Sequence, residues 1–152
     1  MRVLGVDFGL RWIGLARSDP GGMLATPLRS LRIASVRDAP VAIAKAAREE
    51  DAEAIVIGAP LGLEGEEGRP ELRRVERLAT ALRRETGLPV HLVDESLSTR
   101  EAEERVSVSK RARGGDAPHA AAAAVILQRW LDRPRPGHDP ARSAPTERGG
   151  RT

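Results

Sequence analysis

The chain is 152 residues long, which is enough for one domain with a substantial hydrophobic core. It contains no cysteine, which excludes disulfide bonds and thiolate metal sites, and no apolar stretch approaches the roughly 20 residues that span a bilayer. Because a strand pattern begins immediately after the first residues, without a signal peptide, we expect a soluble cytoplasmic protein with no membrane contact.

The net charge of +3 is concentrated at the C-terminal end of the chain. Residues 133–152 contain five arginines, one aspartate and one glutamate, a sum of +3, so residues 1–132 carry 20 basic and 20 acidic side chains. The high pI therefore does not indicate a basic catalytic domain, and nucleic-acid binding has to be argued from local clusters. Four prolines, three glycines and almost no large apolar residue predict a disordered tail over residues 133–152, behind one domain over residues 1–132.

The first third of the chain predicts a hairpin, a third strand and a helix. Apolar runs at residues 3–8 and 13–16 flank Gly9, which is typical of a β-hairpin with the glycine in or near its turn. The pattern that follows predicts a strand over residues 28–33 and a helix over residues 36–50.

The remainder predicts two further strands, each reached through a helix. Apolar runs at residues 54–57 and 90–93 indicate buried strands, and the helical spacing between Pro70 and Gly87 indicates the helix that joins them. Residues 120–131 are apolar nearly all round, which predicts a central, buried helix. Strands that are joined through helices run parallel to one another, so the order of elements predicts an α/β domain.

Residues that could bind a metal or take part in catalysis lie at one predicted edge of the sheet. Asp7 lies near the end of the first strand and Glu95 just past the end of the last, and such strand ends meet at one edge. The buried helix begins near Asp116 and His119, which are three residues apart and share a face of a helical first turn. This group suits Mg²⁺ or Mn²⁺, and two such ions can clamp the attacking water and the leaving oxygen of a phosphodiester. The alternative role for Asp7 is to cap the hairpin turn.

Two other features have both a functional and a structural interpretation. Lys110, Arg111 and Arg113 form a basic loop without an acid just before the predicted site, and we favour contact with nucleic-acid phosphates over simple solvation. Trp12 could stack on a base, and packing within the hairpin is an equal alternative.

Four motifs follow one another in a fixed order within residues 1–131. They are Asp7-Phe8-Gly9 with residues 13–16 and Ser18-Asp19; Gly58-Ala59-Pro60-Leu61 with Gly65; residues 94–99; and residues 125–128 near the end of the last helix. Together they resemble the YqgF/RuvX family of pre-16S rRNA nucleases, which look like Holliday-junction resolvases. The resemblance implies an RNase H-like fold with a five-stranded mixed sheet of order 3-2-1-4-5 flanked by helices. It also implies metal-ligand roles for Asp7 and Glu95.

The chain departs from the family pattern at three positions. Ser96 stands where the family usually has an arginine and Gly62 where it often has an asparagine, and both changes remove polar groups that could contact nucleic acid. The position of the third family acid falls on His119, with Asp116 one turn earlier. Because the dipole at a helix start favours a neutral imidazole, we favour His119 as metal ligand or water-activating group, with Asp116 as its partner or a second ligand.

The resemblance implies a metal-dependent nuclease that acts on structured RNA, in 5′-end processing of pre-16S rRNA during ribosome biogenesis. One alternative is a resolvase of branched DNA, for which symmetric cleavage would need a homodimer; the sequence leaves monomer and homodimer open. A second is a nucleic-acid-binding protein without catalysis. An ATP-binding domain of the actin and sugar-kinase type also opens with Asp-x-Gly, but Leu10-Arg11 follow where its phosphate loop offers a hydroxyl.

Overall fold

The computed structural model describes residues 1–61, 69–95 and 117–134. Five strands form one central sheet, and helices cover both of its faces. The elements in chain order are β1 (Val3–Phe8), β2 (Trp12–Ser18), β3 (Ala25–Arg32), a 3-10 helix (Val36–Asp38), α1 (Ala39–Glu49), β4 (Ala54–Ala59), α2 (Arg69–Thr86), β5 (Val90–Asp94) and α3 (Ala117–Asp132).

The strand order across the sheet is β3-β2-β1-β4-β5. The first three strands form an antiparallel meander, whereas β4 and β5 run parallel to β1. This confirms the mixed sheet and its order. In the hairpin turn the Gly9 amide donates to the Trp12 carbonyl over 3.0 Å, which confirms that Gly9 belongs to the turn.

Helix boundaries follow local capping chemistry. The predicted helix over residues 36–50 begins with a 3-10 turn, because the Ser35 hydroxyl accepts from the Arg37 amide while the Asp38 carboxylate accepts from the Ser35 amide. Gly87 ends α2 with a φ of 72°, a conformation that favours glycine. α3 begins at Ala117, near Asp116 and His119 as predicted, with Pro118 in its first turn, where a missing amide hydrogen costs little.

The two faces of the sheet bury different sets of side chains. Because successive side chains in a strand alternate between faces, Leu4 and Val6 of β1 pack beneath α1 and α2, whereas Val3 packs beneath α3. The α3 face is lined by small residues, including Ala16 and Ala54. As predicted, α3 is a central helix that buries most of its side chains.

α3 lies unusually close to the sheet because glycines occupy the strand positions beneath it. A Cβ on Gly5 would lie 2.7 Å from Leu127 Cβ, and one on Gly58 would lie 2.5 Å from Ile126 Cδ1. At Gly14 a Cβ would overlap the backbone carbonyl of His119. The first turn of α3 therefore rests on the backbone of β2.

Several predicted features lie outside the described residues. They are the short helix from Thr99 that the capping-box pattern of Ser98 and Glu101 predicts, the basic loop of Lys110, Arg111 and Arg113, Asp116, and the tail from residue 135 onward. Among the helices that the structure describes, none is long and apolar enough to cross a bilayer.

Gly14→Ala should strongly destabilise the protein. The added methyl group would overlap backbone atoms, which cannot rotate away, so α3 would have to move from the sheet. We expect the melting temperature to fall by roughly 10 °C, corresponding to about 3 kcal/mol. The control is Gly21→Ala, whose Cβ would meet the side chains of Asp19 and Met23 at 3.2 and 3.9 Å and would not overlap backbone atoms. Equal melting temperatures for the two variants would contradict the close contact.

Candidate active site

Asp7 lies at the carboxyl end of β1, between two glycine-bearing strands. It pairs directly with Gly14 of β2. On its other side, the β1–β4 register pairs Val6 with Ile57, so Gly58 follows at the level of Asp7. The missing side chains on both neighbours let α3 and the Glu95 side chain approach the strands beside a carboxylate that is only partly exposed.

Glu95 lies at the same edge of the sheet. Its amide donates to the Ala59 carbonyl over 2.9 Å, so it continues the β4–β5 pairing one residue beyond β5. Its Oε2 atom would lie 3.1 Å from a Cβ on Gly58. The space left by Gly58 therefore accommodates the Glu95 carboxylate, and the structure brings Asp7 and Glu95 together as the sequence predicted.

The two carboxyl groups repel each other in a partly desolvated environment. Burial raises the pKa of Asp7 above its usual value; His119 opposes that shift and Glu71 adds to it. Burial, followed by the charges of Asp7 and Glu71, raises the pKa of Glu95 to about 7. Buried like charges of this kind are characteristic of sites that hold a cation or move a proton.

Glu71 is the member of the site that the sequence interpretation missed. It lies in the first turn of α2, is exposed, and forms a side-chain hydrogen bond with Glu95 that contributes to the raised pKa of Glu95. A signal was present: α2 follows β4, so its start lies at the edge where β4 ends, and Glu71 comes directly after Pro70. The site therefore contains three carboxylates, Asp7, Glu71 and Glu95.

His119 lies in the first turn of α3, next to β2. Its ring stacks on Trp12 with the centroids 5.4 Å apart and the planes 9° from parallel. The guanidinium of Arg32, which pairs with Trp12 across the sheet, lies 5.8 Å from the Trp12 ring. Trp12 thus packs on His119 of α3 and beside Arg32 of β3, contacts that lie outside the predicted hairpin. The electrostatic effect of His119 on Asp7 indicates that His119 lies near the carboxylates.

The donor set fits a hard divalent cation. Carboxylate oxygens with one imidazole suit Mg²⁺ or Mn²⁺, and positive charge would relieve the repulsion that raises the pKa values of Asp7 and Glu95. Among the described residues, no three acidic, histidine or cysteine side chains already form a group that could hold a metal ion. The carboxylates would therefore have to move closer together on binding.

Known proteins match this chain in sequence and in fold. A family model described as "RuvX: Holliday junction resolvase" matches residues 1–133. A relative from Kineococcus radiotolerans named "Putative pre-16S rRNA nuclease" is 40% identical over 151 residues, covering 97% of this chain and 80% of the relative. A relative of the same name from Anaeromyxobacter dehalogenans is 42% identical over 139 residues, covering 90% of this chain and 100% of the relative.

Two solved resolvases share the fold. RuvC of T. thermophilus in complex with Holliday junction substrate superposes with a TM-score of 0.60 at 18% identity, covering 86% of this chain and 94% of that one. The fowlpox virus Holliday junction resolvase superposes with a TM-score of 0.55 at 8% identity, covering 87% of this chain and 99% of the resolvase. These likenesses confirm the predicted RNase H-like fold.

Glu95→Gln should stabilise the metal-free protein at high pH. The folded-state pKa of about 7 exceeds the ordinary 4.5, so the contribution of this carboxyl to stability is complete below pH 4.5 and is lost as the pH rises to about 7. At pH 8 we expect the variant to be more stable by about 1–2 kcal/mol, after allowance for solvent screening. Urea unfolding of both proteins in the presence of EDTA would measure this difference in the free energy of unfolding.

The difference between Glu95→Gln and the wild type should disappear below pH 4.5, where the carboxyl is protonated in both states. Glu76→Gln, an exposed change further along α2, is the control and should show no such pH dependence. A Glu95→Gln variant that is less stable than the wild type at pH 8 would contradict the repulsion.

Proposed function

This chain belongs to the RuvX family, and from that premise we propose that it is a divalent-metal-dependent nuclease acting in 5′-end processing of pre-16S rRNA. The observation that carries the chemistry is the group of three carboxylates at the carboxyl edge of β1, β4 and β5. The names of the curated relatives favour ribosomal RNA as substrate. Such a function implies a cytoplasmic location.

Each residue of the site has a distinct proposed role. A bound divalent cation would supply positive charge to the reacting phosphodiester. Asp7 and Glu95 would hold it, with Glu71 adding negative charge and accepting or donating the hydrogen bond to Glu95. With a pKa of about 7, Glu95 can take up or release a proton near neutral pH, which suits general acid–base chemistry while no cation is bound.

His119 is proposed as a ligand or water-activating group, with Asp116 as its partner or a second ligand. Stacking on Trp12 fixes the plane of its imidazole ring, so that the nitrogen atoms have a defined direction. Its effect on the pKa of Asp7 supports a place within reach of the same cation or water. Lys110, Arg111 and Arg113 are proposed to contact phosphates near the site.

Asp7→Asn and Glu95→Gln should each abolish cleavage and leave nucleic-acid binding nearly unchanged. Each change removes one negative charge at nearly constant shape, so the loss should fall on metal binding and chemistry. The assay uses pre-16S RNA with Mn²⁺ or Mg²⁺, with binding measured in parallel. A readout independent of activity is the rise in melting temperature on adding Mn²⁺, which should be reduced in both variants.

The matched control for these variants is Asp51→Asn, an exposed aspartate in an ion pair with Arg2. Its positive φ of 53° suits asparagine as well as aspartate. It should cleave at the wild-type rate. Full activity in Asp7→Asn, or activity that survives complete chelation, would rule out the metal-dependent mechanism and leave nucleic-acid binding without catalysis.

Resolution of branched DNA is the second candidate function. The description of the matching family and the shared fold with two Holliday-junction resolvases favour it. Symmetric cleavage of a four-way junction would require a homodimer. Cleavage rates of a four-way DNA junction and of pre-16S RNA, measured at equal protein concentration, would show which of the two is the substrate.

His119→Ala and Asp116→Ala should differ in severity. Because His119 is held beside Asp7 by the Trp12 stack, we expect its loss to lower the cleavage rate by at least about 100-fold, a typical contribution of a catalytic acid or base. Asp116→Ala should have a smaller effect. If His119→Ala retains the wild-type rate while Asp116→Ala is inactive, the two roles are reversed.

A further inference from the structure

A groove of about 530 Å³ runs along β5, at the edge of the described sheet. It lies between that strand and the C-terminal half of α3, and Asp94, Arg129, Trp130 and Arg133 are among its lining residues. One end of the groove is Asp94, the residue immediately before Glu95. The groove therefore ends next to the candidate active site, and its lining contains none of the three carboxylates Asp7, Glu71 and Glu95.

An aromatic stack fixes cationic groups along this groove. The His91 ring stacks on Trp130 with centroids 5.2 Å apart, and the Arg133 guanidinium lies 4.5 Å from the Trp130 ring centroid. Arg83 of α2 donates to the carbonyl of Val90, a lining residue of the groove, over 2.7 Å. Burial, and then the positive charges of Arg133 and Arg83, lower the pKa of His91. Both guanidinium groups therefore lie close enough to His91 to affect its charge.

The balance of charge in the groove is positive. Arg129 contributes a third guanidinium, which donates to the Asp94 carbonyl over 3.4 Å. Asp94 is the one acidic side chain among the described lining residues. Asp132 lies on another side of α3, where it accepts a hydrogen bond from Gln128. Arginine suits this arrangement, because its planar group can contact a ring or carbonyl and a phosphate at once.

We propose that this β5 groove, lined by His91, Arg129, Trp130 and Arg133 and flanked by Arg83, binds the sugar-phosphate backbone of the nucleic acid to one side of the reacting bond. The inference rests on the proposed nuclease function and adds a second contact for the same substrate. At about 3.3 Å per residue, His91 lies about 13 Å along the strand from Glu95. At that distance from Glu95, the groove would contact backbone phosphates away from the reacting bond.

The test compares two double variants that remove equal charge. Arg83→Gln with Arg133→Gln removes one cation that lines the groove and one that flanks it, whereas Arg37→Gln with Arg48→Gln removes two exposed cations from the 3-10 helix and α1. Both are made in the Asp7→Asn background, and binding of a fluorescent RNA hairpin is measured over a range of salt. The groove variant should bind more than tenfold more weakly at about 100 mM salt, and its salt slope should fall by about two.

A third variant, Arg83→Lys with Arg133→Lys, retains the charge and should recover most of the affinity if the contact is with phosphate. Melting temperatures check folding, and if the double glutamine variant unfolds, Arg133→Gln alone should lower the salt slope by about one. Equal binding by the groove variant and its control would overturn the inference. The alternative occupant would then be a strand of a protein partner that pairs with the edge of β5.

This experiment is separate from the test of the proposed function. If the protein without the Asp7 change cleaves RNA but the groove variant binds like its control, the groove inference fails and the nuclease function stands. If groove changes weaken binding but that protein cleaves neither RNA nor DNA, the groove stands and the nuclease function fails.

Discussion

The close contact between α3 and the sheet is the constraint on which the candidate site depends. Glycines beneath the helix allow the His119 carbonyl to rest on Gly14 and leave room for the Glu95 carboxylate beside Gly58. Larger residues there would lift the helix and close that space. The same absence of side chains therefore sets the packing of the core and the positions of the groups that face Asp7.

Electrostatics at this edge oppose stability. Burial and mutual repulsion raise the pKa values of Asp7 and Glu95, so at neutral pH the fold holds negative charge where water solvates it poorly. A structure selected for stability alone would place apolar or paired groups there. Unfavourable interactions that the rest of the fold tolerates are expected where a protein binds a cation or transfers a proton.

The sequence predicted the sheet and part of the site because both follow from local pattern and chain order. Asp7 and Glu95 end strands whose connections force them to run parallel, so their proximity could be inferred. The position of Glu71 at the start of α2 was a weaker signal, since an acid in the first turn of a helix is equally typical of a solvated residue that complements the helix dipole. The stack of Trp12 on His119 joins distant parts of the chain through packing, for which one sequence offers no pattern.

The histidine at the position of the third family acid makes physical sense beside Glu71. Among the described residues the site already contains three carboxylates, and burial with repulsion already raises the pKa of Glu95 to about 7. A fourth carboxylate at position 119 would add another negative charge next to Asp7. An imidazole adds none: its protonated form lowers the pKa of Asp7, and its neutral form offers a nitrogen ligand to a cation. Stacking on Trp12 orients the ring in either form, so a histidine beside Glu71 is compatible with the electrostatics of the site.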